Sequence, residues 1–327
     1  MMNNHSEELL KLFRSAPGEY ISGEEISRKL QISRTAVWKH INKLREVGYS
    51  FEAVSRKGYL MTGVPDRLDP ASLLGSLQTK RLGRALKVVE ITGSTQEEAR
   101  MLADQGASEG ALVIAEEQTA GRGRMGRKWF SPPGKGLWMS VLLRPSLPLT
   151  AAPQLTLLTA VAVCQAIRTV AGVDAGIKWP NDILIQGRKT CGILLESVTE
   201  EERIRYCIAG IGIDVNVTQD ELPADLQEIM TSLKIAAGKS MDRAVLAGTV
   251  MNELEGLYDL YLAEGFRPIA HLWEALSVSI NRTLIVNTPR GEVKGQAVSL
   301  DESGALILLD EQGERFTIFS GDIRLDR

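Results

Sequence analysis

The densest chemistry in the chain lies in Ala120-Gly-Arg-Gly-Arg-Met-Gly-Arg-Lys-Trp-Phe130. Gly121, Gly123 and Gly126 alternate with Arg122, Arg124 and Arg127. Glycine lets a backbone approach a ligand closely, and arginine grips carboxylate or phosphate through two donors at once. The run predicts a flexible anion-binding loop. Its G-x-G-x-x-G spacing follows a strand-like Ala111–Ala115, as a dinucleotide fingerprint would. That fingerprint must open a helix and meet an acid about 20 residues on. Here Ser131-Pro-Pro-Gly134 stops a helix, and no acid occurs until Asp174. A phosphate loop of the Walker type fails as well, because Gly126 is followed by Arg127 rather than by Lys and Ser or Thr.

A second cluster is Ile177-Lys-Trp-Pro-Asn-Asp182. Lys178 offers a point charge for a phosphoryl oxygen. Asn181 and Asp182 offer oxygen ligands for Mg²⁺ or partners for a substrate, and Trp-Pro stiffens the turn. The same turn could serve only as a strand-end Asx turn. Behind it come Arg188-Lys189-Thr190, Gly192-Ile-Leu-Leu-Glu196 and Gly210-Ile-Gly-Ile-Asp-Val-Asn216. Both later runs are strand-like, with glycines that admit a ligand against a sheet.

The elements that must position these residues fall into three parts, at 1–65, 66–276 and 277–327. The first reads as a winged helix-turn-helix. Leu9, Leu10, Leu12 and Phe13 suit one face of a helix. Ser22-Gly-Glu-Glu25 has the form of a capping box, and Ser33 caps a helix over 34–47 with Val37, Ile41 and Leu44 inward and Gly48 at its end. Phe51–Ser55 and Gly58–Met61 form a hairpin wing with Arg56-Lys57 at its tip. Arg34 to Arg45 carries four bases and no acid. That is the footprint of a helix contacting phosphate, so Ser33, Arg34, Thr35, Lys39, Lys43, Arg56 and Lys57 are the candidate DNA contacts. A small solvated helical domain is the plainer alternative.

Val64-Pro-Asp-Arg-Leu-Asp-Pro70 reads as a linker. The middle part alternates strand-like runs (86–91, 111–115, 137–143, 183–185, 192–195, 206–217) with helical patterns (96–103, 152–170, 243–265), an α/β order. From Ser277 four short strands at 284–286, 293–297, 305–309 and 315–319, split by Gly-containing turns, suggest a small β-barrel.

Composition narrows the class. The 327 residues carry 38 Lys and Arg against 41 Asp and Glu, and 44% are hydrophobic. This excludes a disordered chain and a collagen-like repeat. Charge is uneven: residues 1–65 hold ten Lys and Arg against seven Glu. From Gln118 to Val173 there is no acid at all, while Arg122, Arg124, Arg127, Lys128, Lys135, Arg144 and Arg168 are present. The apolar run Leu155–Ile167 is too short to cross a bilayer, and the first residues lack a secretory pattern, so no membrane partner and a cytoplasmic location are expected. Three cysteines without C-x-x-C spacing and three scattered histidines give neither a disulfide framework nor a zinc site.

Five segments together resemble the biotin–protein ligases. They are Gly93-Ser-Thr-Gln96, Gln118-Thr-Ala-Gly-Arg-Gly-Arg-Met-Gly-Arg-Lys-Trp129, Lys178–Asp182, Lys189-Thr-Cys-Gly-Ile-Leu-Leu-Glu196 and Gly210–Asn216. With the N-terminal winged helix, the whole chain resembles the bifunctional bacterial type, a ligase and biotin-operon repressor in one. The resemblance implies an α+β multidomain fold: winged helix-turn-helix, α/β ligase domain with a mixed, class II synthetase-like sheet, and SH3-like C-terminal barrel. It implies ATP, biotin and Mg²⁺, formation of biotinyl-5′-AMP, and transfer to a lysine of a biotin carboxyl carrier protein. It further implies operator DNA of biotin genes as partner, and a homodimer when biotinyl-AMP is bound. By the same resemblance Lys178, Arg124 and Lys189 are catalytic. Ser94, Thr95, Gln96, Gln118, Gly121, Arg122, Gly123, Arg124, Lys189 and Gly192 meet biotin. Arg122, Arg124, Arg127, Trp129, Lys178, Asn181, Asp214 and Asn216 meet ATP or the adenylate, and Asp182 is the candidate for metal. One departure stands out: the family has Asn where this chain has Asp214, so this carboxylate would either repel triphosphate or make the same acceptor contact. Two other readings remain, a ligand-sensing regulator with an inactive ligase fold and a lipoate ligase. The acid that triggers pyrophosphate release from ATP separates them.

Overall fold

The computed structural model describes residues 4–46, 49–63, 67–288 and 291–325. The expected cap at Gly48 and the Pro289-Arg290 turn lie outside the described residues. Contacts divide the chain into two compact units, Met1–Arg67 and Leu68–Arg327.

The first unit contains α1 (Asn4–Arg14), α2 (Gly23–Leu30), α3 (Arg34–Glu46), β1 (Ser50–Val54) and β2 (Gly58–Gly63), the strands paired antiparallel. Leu9, Leu10, Phe13, Ile26, Val37, Ile41 and Leu44 form its core. Ser22 caps α2 by accepting from Glu25 N at 3.1 Å. Glu25 ion-pairs with Lys29 at 2.9 Å, the i,i+4 arrangement of a helix face. Ser33 caps α3 through Ala36 N at 3.2 Å. The wing is tied back where Ile21 and Tyr59 exchange backbone bonds at 2.9 Å. Gly58, at φ +107°, is required there, since a Cβ would sit 2.1 Å from the Ile21 carbonyl oxygen.

The second unit is built on a seven-stranded mixed sheet. Its elements are α4 (Pro70–Ser76), β3 (Leu86–Thr92), α5 (Thr95–Asp104), β4 (Leu112–Gln118), β5 (Gly136–Leu143), α6 (Ala152–Ala171), β6 (Ala175–Lys178), β7 (Asp182–Ile185), β8 (Arg188–Glu200), β9 (Arg203–Asp214), α7 (Leu233–Ala237), α8 (Arg243–Glu264) and α9 (Arg267–Leu276). Strand order is β3-β4-β5-β9-β8-β7-β6, with only β3 and β4 parallel. The linker reading fails at its end: Asp69 accepts from Ser72 N at 3.0 Å and Pro70 opens α4. An Asp-Pro pair is a helix start as readily as a break, because Pro fits the first turn. Helix α6 extends the apolar run at both ends. The stretch Leu149–Ala171 is long and apolar enough to cross a membrane, but 67% of its apolar window is buried in the protein. It packs on α8 and α9 as a core helix.

Five antiparallel strands follow, β10 (Thr283–Thr288), β11 (Gly291–Leu300), β12 (Leu306–Leu309), β13 (Arg315–Ile318) and β14 (Asp322–Leu325), in the order β13-β12-β11-β10-β14. The sequence pattern missed β14, whose Gly-Asp-Ile-Arg start reads as a turn. Leu284, Val286, Leu306, Leu308 and Ile323 share one apolar core with α6 and α8, and Trp179 Nε1 donates to Gly304 O at 3.3 Å.

Candidate active site

The floor of the site is the β8–β9 ladder. Gly192 and Gly212 face each other across it. A Cβ at Gly212 would lie 2.4 Å from Trp129 Nε1, and one at Gly192 would lie 3.0 Å from Trp129 Cζ3. The two glycines therefore admit the Trp129 indole against the sheet. Lys189 Nζ stands 5.1 Å from that ring's centre and ion-pairs with Asp182 at 2.6 Å. At the end of β9 Asp214 is fully buried, and neither of its carboxyl oxygens has a hydrogen-bond partner among the described residues. Burial pushes its pKa well above the ordinary 3.8, with Lys189 opposing. Burial thus favours the protonated form of Asp214. Trp129 Nε1 and Thr231 Oγ1 are likewise buried without partners. Thr231 is bonded through its backbone to Lys189 at 2.8 Å. Buried polar groups of this kind cost stability unless a partner satisfies them.

The opposite wall is a chain of side-chain hydrogen bonds. Ser94 caps α5 through Gln96 N at 3.3 Å. Thr95 donates to Gln118 Oε1 from its backbone N at 2.9 Å and from Oγ1 at 3.1 Å. Thr95 Oγ1 also meets Ser140 Oγ at 2.8 Å, and Gln118 Nε2 donates to Ser131 Oγ at 3.0 Å. Gln96 Nε2 donates to Leu194 O and Glu196 Oε2, each at 3.2 Å, while its Oε1 is buried and unpartnered. Sequence reading missed Ser131 and Ser140, because nothing in a strand or a Pro-rich turn marks a hydroxyl as part of a network.

The glycine loop closes on itself. Trp129 N donates to Gly121 O at 2.9 Å and Gly123 N to Arg127 O at 2.7 Å. A Cβ at Gly121 would sit 2.8 Å from both Ser131 Oγ and Trp129 O, so that position must be glycine. Arg124 Nη1 donates to Asn181 Oδ1 at 3.2 Å, and Asn181 Nδ2 holds Ile193 O at 2.8 Å. Lys178 pairs with Asp182 in the β6–β7 register. Burial depresses its pKa, Asp182 raises it and Lys189 lowers it further. Arg124, Lys178, Lys189, Asn181 and Asp182 thus meet at one turn.

Other expected contacts are placed elsewhere. Asn216 binds the backbone of Met241 at both ends of its amide, each at 2.9 Å, and so braces the segment leading into α8. Arg122 is exposed and pairs with Glu97 at 3.2 Å, and Arg127 is exposed and pairs with Asp322 of β14. Arg144 binds the Ala103 and Ala107 carbonyls, and Arg168 the Ala175 carbonyl. The cations of the acid-free stretch are therefore spread over several protein partners. Unpredicted is a buried pair, Arg243 with Glu116 at 2.8 Å. Glu116 also accepts from Leu68 N at 2.6 Å, and Arg243 also donates to Gly136 O at 3.0 Å. The pair clamps both flanks of the loop.

Among the described residues no three His, Cys, Asp or Glu side chains gather for a metal. Asp182, the expected metal candidate, ion-pairs with Lys189 at 2.6 Å.

In the first unit Arg34, Thr35, Lys39 and Lys43 are exposed on α3, away from Val37, Ile41 and Leu44. The Ser33 hydroxyl is taken by its cap. Arg56 is exposed at the wing turn, and exposed Lys57 lies 5.6 Å over the Tyr20 ring. Arg45 donates to Phe51 O at 2.9 Å and belongs to the wing's support.

A helix-turn-helix unit joined to a mixed sheet with this loop defines a DNA-binding protein fused to an acyl-ligase fold. Comparison with known proteins agrees part by part. Residues 88–214 match the biotin/lipoate A/B protein ligase family, 5–60 an HTH domain, and 279–326 the biotin protein ligase C-terminal domain. The bifunctional ligase/repressor BirA of Bacillus subtilis is 46% identical over 325 residues, covering 99% of this chain and all of that one. The Escherichia coli protein of the same name is 33% identical, over 95% of this chain and 94% of its own. The solved biotin protein ligase from Aquifex aeolicus, in complex with biotin and ATP, superposes with a TM-score of 0.64 at 30% identity. It covers 75% of this chain and 99% of its own. The chain belongs to the bifunctional biotin ligase/repressor family.

Proposed function

We propose that the second unit makes biotinyl-5′-AMP from biotin and ATP and passes biotin to a lysine of a biotin carboxyl carrier protein. The observation that carries the reading is the meeting of Arg124, Lys178 and Lys189 at the Asn181–Asp182 turn, beside Trp129 on the Gly192–Gly212 floor. In the first step a biotin carboxylate oxygen bonds to the α-phosphorus and pyrophosphate leaves. Two anions must approach, so fixed positive charge has to stand between them beforehand. Lys178 and Arg124 face the α-phosphate, Lys189 bridges carboxylate and phosphate, and Arg122 adds a cation on the biotin side. Ser94, Thr95 and Gln118 hydrogen-bond the ureido ring, with Gln96, Gly121, Gly123 and Gly192 shaping its chamber. Trp129, Asn181 and Asp214 line the adenylate side. Asn216 and Arg127 support that side from behind and from the rim. In the second step the carrier amine bonds to the acyl carbon, AMP leaves, and the amine proton passes to solvent. Mg²⁺, which the family implies, would arrive with the nucleotide and screen its phosphates.

In the same reading the first unit grips operator DNA of biotin genes through Arg34, Thr35, Lys39, Lys43, Arg56 and Lys57. A homodimer formed on biotinyl-AMP presents two such units to two half-sites in the cytoplasm. The domain limits that fit are 1–65, 66–276 and 277–327.

Pyrophosphate release from ATP, measured with biotin and with lipoate, tests the ligase half. Release with biotin alone supports the reading, and release with lipoate alone overturns it.

A further inference from the structure

Trp38, in the second turn of α3, is 53% exposed. It belongs to none of the apolar clusters, whereas Val37, Ile41 and Leu44 of the same helix are buried. The other tryptophans are buried or half-buried, three of them at 3% exposure or less. Helical spacing sets Trp38 beside Arg34 and Thr35 on one side and Asn42 on the other, next to Lys39. Its neighbours on this face are polar or cationic, and no acid occurs in α3 before Glu46. A cationic helix face suits a phosphate-lined groove. A helix fits only the major groove, the minor groove being too narrow. There one base carries an apolar feature on its edge, the 5-methyl group of thymine.

We infer that Trp38 reads thymine methyl groups in the major groove and so sets which operator half-sites the protein prefers. The inference rests on the DNA-binding reading above. Arg34, Lys39 and Lys43 hold phosphates and fix the register, and Trp38 supplies discrimination between sequences. Covering the exposed indole on binding would add apolar burial to the complex.

The test uses the full-length protein with biotin and ATP·Mg²⁺. A random duplex library first yields the preferred DNA by repeated selection. If no duplex is enriched, the DNA-binding reading itself fails, and this inference with it. On the selected duplex each thymine is replaced in turn by uracil, which removes only the methyl. Wild type is expected to lose about tenfold in affinity at one or two positions per half-site. Trp38→Ala should bind the thymine duplex about tenfold more weakly and no longer sense those uracils, with an unchanged slope against salt. Trp38→Phe should recover part of both effects. Uracil scanning without effect on wild type, or a Trp38→Ala protein still sensitive at the same positions, overturns the inference while leaving DNA binding intact. A Trp38→Ala protein that binds as wild type does, or that loses self-association rather than DNA affinity, also overturns it.

Discussion

The two units handle charge in opposite ways. In the catalytic unit the cations of interest are held by protein partners: Arg124 by Asn181, Lys189 by Asp182, Arg243 by Glu116. In the helix-turn-helix unit Arg34, Lys39, Lys43 and Arg56 stand exposed. Preorganisation explains the contrast. A reaction between two anions needs donors fixed before the transition state, and that requires anchors. A DNA backbone is itself a regular array of anions, so exposed cations on a rigid helix suffice and counterion release supplies the affinity.

Charge removal should therefore hurt folding or chemistry in the catalytic unit and only DNA affinity in the other. The largest effect is expected at the buried pair. Glu116→Ala removes the buried carboxylate partner of Arg243 and should lower unfolding free energy by about 3–5 kcal/mol. Denaturant midpoints of the wild type and variant measure it, and a loss under about 1 kcal/mol would break the comparison. Next, Lys178→Ala should cut biotin-dependent pyrophosphate release by about 100- to 1,000-fold while biotin still binds. Unchanged turnover would remove Lys178 from the chemistry.

Asp214 gives a pH signature. A carboxyl whose folded pKa lies above its ordinary 3.8 contributes stability that is present below that value and lost as pH rises through the folded pKa. Asp214→Asn removes this loss. Its denaturant midpoint should exceed that of wild type by more at pH 8 than at pH 5, and an equal gain at both would contradict a carboxyl raised by burial. The smallest effect is expected at Lys39→Ala. Stability should stay within about 0.5 kcal/mol. The slope of log affinity against log salt should fall by about 0.9, one phosphate contact. An unfolding midpoint shifted as far as that of Glu116→Ala would erase the distinction between the units.

The same contrast explains what could be read in advance. Local signals were legible: Ser22 and Ser33 as caps, the α3 stripe of Val37, Ile41 and Leu44, and the glycine loop with its arginines all follow from spacing along the chain. Pairings across the chain were not. The resemblance placed Asn216 at the adenylate, but no local signal announced that its amide holds the backbone of Met241, 25 residues away. Glu116 and Arg243 are 127 residues apart, and either one alone reads as a surface charge. Arg122 and Arg127 keep the loop's charge in sequence, but their partners Glu97 and Asp322 lie on other elements. Asp69-Pro70 carried a helix start that its linker-like neighbours obscured.

The central claim is that the catalytic unit joins biotin to AMP. Its most direct test is a calorimetric titration of the full-length protein with biotin, without and with ATP·Mg²⁺, followed by mass spectrometry of the bound small molecule. The account predicts saturable biotin binding, tightened by ATP, and a bound mass equal to biotinyl-5′-AMP. No biotin binding, or biotin and ATP recovered unjoined, would contradict it.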